Sequence, residues 1–593
     1  MKKEPIRIAN CSGFFGDRPS AALEMVTGGP IDVLTGDWLA ELTMLILRRI
    51  KDKNEQSGYA RTFISQMNEV MGICLEKGIK IVSNAGGLNP QACAEAVSDI
   101  AASQGIAPSI AYINGDDLMN SLPDLITSQE LTAFTDNEHL DNADLYMTAN
   151  AYLGCWGIVE ALKAEADIII TGRVTDAAVV CGPAAWHHGW RESDFDQLAG
   201  AVVAGHIIEC GTQATGGNYS FFYEIPGREE IGSTARFGFP WAEIASDGSS
   251  VIGKHDNTGG IVNKETVISQ LLYEIGGPEY FGPDVTARFD TVAVKEIGEN
   301  LVEVTGAKGQ APPRTLKVAM NKHGGYRNSF SVALTGLDIE QKAKFAEATF
   351  WDACPSKPED FESISSKVIR TDKTDPETQE EATAIWRLTV KDKDERKVGR
   401  AFSDAMIHTA LAGIPGMYGI GGGPSPATPF GIYQPALILN ELVPQYVHIL
   451  GAETTIIESV VHQETSLNIP IIPTPAAPEG PTMNIPIGEF VGTRSGDKGG
   501  NANLGVYARN EIGWAWLDNV LTTDQLQELL PETRNLMIER YRFPKIRAIN
   551  FLIHGILEEG VAASTRQDAQ AKALGEWLRA RVMQVPISVK KAT

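Results

Sequence analysis

The chain has 593 residues, 43% hydrophobic and 21% charged, an ordinary globular composition too long for a single core. With 75 acidic against 51 basic residues the net charge is −24, and no run of five or more Lys and Arg offsets it, which argues against nucleic acid and anionic membranes as partners. Seven scattered cysteines without a C-x-x-C pair argue against a disulfide frame or zinc knot, and no apolar run is long enough to span a membrane.

In chain order, the opening apolar stretch at residues 6–9 is far too short for a secretory signal, so the cytoplasm is the expected compartment. The first 220 or so residues alternate short apolar runs with amphipathic stretches. Strands are expected at 31–34, 79–83, 107–113, 144–149 and 166–170. Helices are expected at 38–49, at 90–103 with Asn89 as cap and Pro90 in its first position, at 156–164 and after Asp176. Strands alternating with helices predict a large, mostly parallel α/β region.

From about 285 the pattern changes, and a subdivision of the region is expected there. Strands are predicted at 292–305, 315–318 and 384–390, with helices at 339–352 and 401–411; the charged stretch 357–380 reads as a solvated loop or a surface insertion. Six prolines from Pro470 to Pro486 mark an extended linker, because closely spaced prolines sustain neither helix nor central strand. The expected division is therefore 1–465, a linker at 466–486, and a small α+β domain at 487–593. That tail reads as strands at 488–493, 503–508, 545–556 and 583–587 with helices at 523–530 and 567–581, a ferredoxin-like sandwich.

Three junctions between strand and helix are built alike, namely Thr35-Gly36-Asp37-Trp38, Asn84-Ala85-Gly86-Gly87-Leu88-Asn89-Pro90 and Thr171-Gly172-Arg173-Val174-Thr175-Asp176. In open parallel sheets ligands bind at the carboxyl ends of strands, where glycine admits a close backbone approach and free helix N–H groups attract an anion. Arg173 adds a bidentate donor for carboxylate or phosphate. Ordinary turn chemistry explains the same residues, so position at one sheet edge is what distinguishes the readings.

A fourth candidate runs from Gly205 to Asn218 and packs His206, Glu209, Cys210, Thr212, Gln213, Gly216, Gly217 and Asn218 together. On a helix His206 and Glu209 share a face, as acid and base or as two metal ligands. No further ligand completes a metal spacing, so no metal is expected, and a buried inert thiol is the commoner fate of Cys210. The turn from Asn10 to Arg18 lacks the glycine spacing of a dinucleotide fingerprint, and neither a Walker A loop nor a G-x-S-x-G elbow occurs. The glycine-rich run from Gly419 to Pro429 offers a phosphate-cradling loop or a flexible connection, and the connection is the favoured reading. In the tail, Thr493-Arg494-Ser495-Gly496-Asp497-Lys498-Gly499-Gly500 is either an anion nest built on Arg494 and Lys498 or a solvated hairpin tip.

These segments, with the opening Arg7-Ile8-Ala9-Asn10-Cys11-Ser12-Gly13-Phe14-Phe15-Gly16-Asp17 and Asn257-Thr258-Gly259-Gly260-Ile261-Val262, resemble the acyclic terpene utilisation (AtuA-like) family over nearly the whole chain. The tail motif from Arg494 to Gly499 resembles the small domain that closes such chains. The resemblance implies catabolism of branched or isoprenoid acids through CoA thioesters and supplies no agreed catalytic residues.

The expected function is an enzyme acting on an acyl-CoA or small carboxylate by lyase or hydratase chemistry, without a nucleotide cofactor and with CoA entering only as part of the substrate. Asp37, Asp176, His206 and Glu209 are the candidate catalytic residues. Asn84, Gly86, Gly87, Gly172, Arg173, Gly216, Gly217, Asn218, Arg494 and Lys498 are the candidate binding residues. A homo-oligomer is expected, and the rival reading is a non-catalytic assembly or ligand-binding partner of a catabolic carboxylase.

Overall fold

The computed structural model describes residues 3–134, 139–227 and 236–592. The chain forms two compact units, one of Met1–Asn321, Tyr433–Val561 and Gln570–Thr593, the other of Lys322–Ile432 and Ala562–Ala569.

The first unit is built on an eleven-stranded sheet. Its centre is parallel: Ile6–Asn10, Val33–Gly36, Lys80–Ser83, Ile168–Thr171 and Ile110–Asn114 lie side by side in that order. Alternate residues feed two separate cores. Ile8, Val33, Val82 and Ile169 pack on one face, while Ala9, Leu34, Ile81 and Ile168 pack on the other. Burial on both faces is why these strands read as continuous apolar runs. Helices Pro90–Gln104, Trp156–Lys163 and Ala178–His188 stand where the sequence places them, and Asn89 caps the first by accepting from the Ala92 amide at 3.3 Å.

The expectation of a mostly parallel sheet is overturned. On one side the parallel centre continues through Pro240–Ile244, Ser250–Lys254, Leu301–Thr305 and Ala293–Gly298, and on the other through Gln445–Ile449 and Thr454–Ile457, all antiparallel. These flanks are hairpins from distant sequence, so local alternation of strand and helix does not report them. Residues 292–305, read as one strand, are such a hairpin turning at Asn300, whose φ of 53° lies in the left-handed region. Two long helices, Arg61–Lys77 and Phe195–Ile208, are additional to the expected elements.

Within the same unit, Val491–Lys498, Asn501–Ala508, Ala548–Ile553 and Ile538–Phe543 form a four-stranded antiparallel sheet over a core of Leu504, Val506, Trp516, Leu517 and Phe551. The tail helix expected at 567–581 is confined to Leu574–Arg579, and the last strand, Val582–Pro586, pairs instead with Thr482–Pro486. Helix Glu511–Val520 and strand Ile538–Phe543 likewise go beyond the expected elements.

In the second unit, residues 326–335 of the strand Thr315–Thr335 pair with Thr383–Asp392, which pairs with Ser363–Ile369. That last strand corrects the reading of 357–380 as a loop: its polar residues occupy an edge strand whose side chains stay largely in solvent. Helices Ile339–Ala353 and Arg400–His408 close a core of Phe330, Phe350, Trp386 and Phe402.

Candidate functional site

The carboxyl ends of the parallel strands carry Asp37, Asn84, Asp116 and Arg173, all buried. Asn84 organises the first turn: its Nδ2 donates to Asp37 Oδ1, and its Oδ1 accepts from the Trp38 amide at 2.8 Å. Asp37 Oδ1 also accepts from the Leu39 amide at 3.1 Å. Burial first, and then the neighbouring Asp176 carboxylate, push the Asp37 carboxyl up to about 7, against the pull of Arg173, Asn84 and Leu39.

Arg173 donates through Nη1 to Asp176 at 2.7 Å and to the Leu39 carbonyl at 3.1 Å, with its guanidinium 4.2 Å from the centroid of Tyr152. Its own amide donates to Asp116, whose other donor is Asn150. Gly172 makes that turn possible, because a Cβ there would lie 2.3 Å from Asp116 Oδ1. Gly86 lies against the Thr171 carbonyl in the same way, and Gly87, with φ of 54°, rests on Leu47 and Gly58. Gly87 and Asn89 line a shallow cleft with Asn114, Asp116 and Asp117.

Helix Phe195–Ile208 brings in His206, and Glu209 follows at its C-terminal cap. The pair shares a face as the spacing predicts, with His206 Nδ1 3.4 Å from Glu209 Oε1. The imidazole lies between Tyr280 and Phe289, with ring centroids 5.1 and 5.2 Å away. Burial and then Lys498 lower it to about 3, so it is neutral at physiological pH. Glu209 moves the other way: burial, Asp176, Asp37 and Glu274 all raise its pKa well above the ordinary carboxyl value, with Lys498 opposing. Its Oε2 has no hydrogen-bond partner. Burial and the adjacent Glu209 likewise raise the Cys210 thiol, which stays protonated and makes a poor nucleophile.

The ferredoxin-like sheet supplies two further cations, Arg494 and Lys498. Arg494 lies within strand Val491–Lys498, so the reading of this motif as a solvated tip is corrected for Arg494, which is buried; the hairpin turns at Gly499 and Gly500. Arg494 Nη2 donates to Gln213, and the guanidinium stacks 3.9 Å from the Tyr273 centroid. Lys498 Nζ donates to the Glu274 carbonyl at 2.7 Å; burial and Lys317 lower its pKa. Asp497 is raised to about 7 by burial and by Glu274. Gly216, Gly217 and Asn218 close the turn behind Gln213: Gly216 packs on Ile225 and Ile261, and Gly217 rests on the backbone of Thr212 and Gln213.

Sequence reasoning missed Glu41, Tyr152, Tyr273, Glu274, Tyr280, Lys317 and Lys572, which complete the cluster. Tyr152 donates to Glu41 at 2.8 Å, and Lys317 stands 3.6 Å from the same carboxylate. Against the burial that would raise it, Lys317 and Arg173 hold Glu41 at about 2. Glu41 closes the turn Thr35-Gly36-Asp37-Trp38-Leu39-Ala40-Glu41, and Tyr152 lies between strand Tyr146–Ala151 and helix Trp156–Lys163; no motif announces the others. The side chains of Asp176, Lys317, Glu41, Lys572 and Glu274 keep 27%, 32%, 33%, 32% and 35% exposure, so the cluster is recessed but open to solvent. Each carboxyl that keeps its proton leaves the cations less neutralised, which favours an anion despite the net charge of the chain. Among the described residues no group of three or more His, Cys, Asp and Glu is placed to hold a metal ion, and no helix is long and apolar enough to cross a membrane.

Residues 6–449 match the family model described as acyclic terpene utilisation family protein AtuA, and residues 485–584 match that of the AtuA ferredoxin-like domain. No curated protein and no solved structure matches the chain.

Proposed function

The chain belongs to the acyclic terpene utilisation family, and on that premise we propose that it is an enzyme of branched-chain or isoprenoid acid catabolism, moving a proton on a small carboxylate or acyl-CoA in lyase or hydratase chemistry. The observation that carries this reading is the divergence of environments within one cluster. Glu209, held protonated by burial and three neighbouring carboxylates, is the general acid. Asp37, raised to about 7 and oriented by Asn84, is the general base.

His206 is neutral and fixed against aromatic rings, so it positions Glu209 and does not donate the proton. Arg173 holds the anionic end of the substrate, and Lys498 stabilises charge that develops on its carbonyl oxygen. The cluster needs no nucleotide for such a step, and CoA enters as part of the substrate.

The test is thermal stability against a panel of branched acyl-CoAs and free acids, followed by turnover with any that bind. Ligand at about 100 times its dissociation constant adds roughly 2.7 kcal/mol. Binding of a branched acid or its CoA ester, with a turnover that Glu209→Gln and Asp37→Asn suppress while binding and the fold persist, supports the proposal. Binding without turnover of any of them would favour the non-catalytic partner reading instead.

A further inference from the structure

The cluster repeats one arrangement twice. Around Tyr152, the Arg173 guanidinium lies 4.2 Å and Lys317 Nζ 5.1 Å from the ring centroid, and Glu41 accepts from the hydroxyl while facing Lys317 at 3.6 Å. Around Tyr273, Arg494 lies 3.9 Å and Lys572 4.8 Å from the centroid; Lys572 donates to the hydroxyl and faces Glu274 at 4.0 Å. In the first set Arg173 and Glu41 follow the parallel strands Ile168–Thr171 and Val33–Gly36, while Tyr152 follows Tyr146–Ala151, which pairs with the strand Thr315–Thr335 that carries Lys317. In the second, Arg494 and Lys572 belong to the ferredoxin-like region, and Tyr273 and Glu274 follow helix Lys264–Leu271.

Both arginines are almost fully buried, at 2% and 3% exposure, and each keeps an Nε without a hydrogen-bond partner. A buried guanidinium N–H without an acceptor is costly, and stacking on a tyrosine face fixes its plane for a carboxylate. The two halves are close: Lys317 Nζ lies 5.4 Å from the Tyr433 ring centroid, the same ring lies against Gly499 of the hairpin that follows Lys498, and Lys498 Nζ donates to the Glu274 carbonyl at 2.7 Å.

We propose that the site takes a short dicarboxylate, one carboxylate held by Arg173 and Lys317 over Tyr152 and the other by Arg494 and Lys572 over Tyr273, with the reacting carbon between them. This rests on the reading of the cluster as a site for a small anionic acid and adds that the acid carries two anionic ends.

The experiment compares 3-methylglutarate, isovalerate and isovaleryl-CoA by calorimetry and thermal shift on the full chain. Expected is 3-methylglutarate binding at least tenfold tighter than isovalerate, weakened tenfold or more in both Arg173→Met and Arg494→Met. Lys317→Met and Lys572→Met repeat the comparison with smaller losses should an arginine variant fold poorly. Equal binding of the mono- and dicarboxylate would overturn the proposal. So would binding of any acid, or of isovaleryl-CoA alone, that Arg173→Met abolishes and Arg494→Met leaves intact; the anionic-acid reading would then survive. A folded protein that binds none of the three overturns both.

Discussion

The two compact units bury different things. In the second, Phe330 meets Phe350, Trp386 and Phe402 in tilted or edge-to-face contacts at centroid distances of 4.8–5.5 Å, and the buried Asn328 is satisfied, donating to Val398 and Ser425 carbonyls and accepting from the Ser425 hydroxyl. In the first, the interior holds Arg173, Arg494 and Glu209 with polar atoms left unpartnered. Leaving such groups incomplete costs about 1–3 kcal/mol each, more when charged. The second unit is held by its aromatic core, and the first carries buried charged groups with incomplete hydrogen bonding, the feature on which the proposed site rests.

The sharpest way to break that contrast is at Glu209 and Asp37. Glu209→Gln and Asp37→Asn each lower turnover by about 10²–10⁴ while circular dichroism stays unchanged; a fall in stability of matching size would make these carboxyls structural. Phe402→Ala probes the other side, with an expected loss of about 3–5 kcal/mol in chemical denaturation. A negligible loss would mean that the aromatic core does not hold its unit together.

A third test uses pH. Asp37, Asp116 and Asp497 titrate near 7 in the folded state against about 3.9 unfolded, so between those values the native protein holds the extra protons. Their effect is that stability falls as pH rises from about 4 through about 7. Asp37→Asn flattens that decline, and a curve parallel to wild type would show that Asp37 carries no shift. The smallest effect is expected at Cys210, whose thiol stays protonated: Cys210→Ser changes turnover less than about threefold, whereas abolition would restore it as a nucleophile.

The parallel centre of the sheet was legible because strands buried on both faces are apolar throughout, and Asn89-Pro90 and Asp37-Trp38 carry turn chemistry that marks their exits. The flanking hairpins escaped because pairing of Pro240–Ile244 with Ile6–Asn10 is set by packing far along the chain, which no local period records. The cluster divides in the same way. Asp37, Arg173, Asp176, His206, Glu209, Arg494 and Lys498 are carried by glycine-broken motifs. Glu41 lies in a helix whose spacing looks ordinary, and Lys317 in a strand that alternates like any other. Glu274 sits at φ of 54°, a backbone state unusual for a glutamate, and nothing in its neighbours announces it.

The proposed chemistry turns on Glu209 holding its proton at neutral pH. A difference infrared spectrum of wild type against Glu209→Gln at pH 7 measures this without any substrate. The predicted result is a protonated carboxyl carbonyl band that the substitution removes. A difference showing only the loss of carboxylate bands would mean that Glu209 is ionised and would contradict its role as the acid.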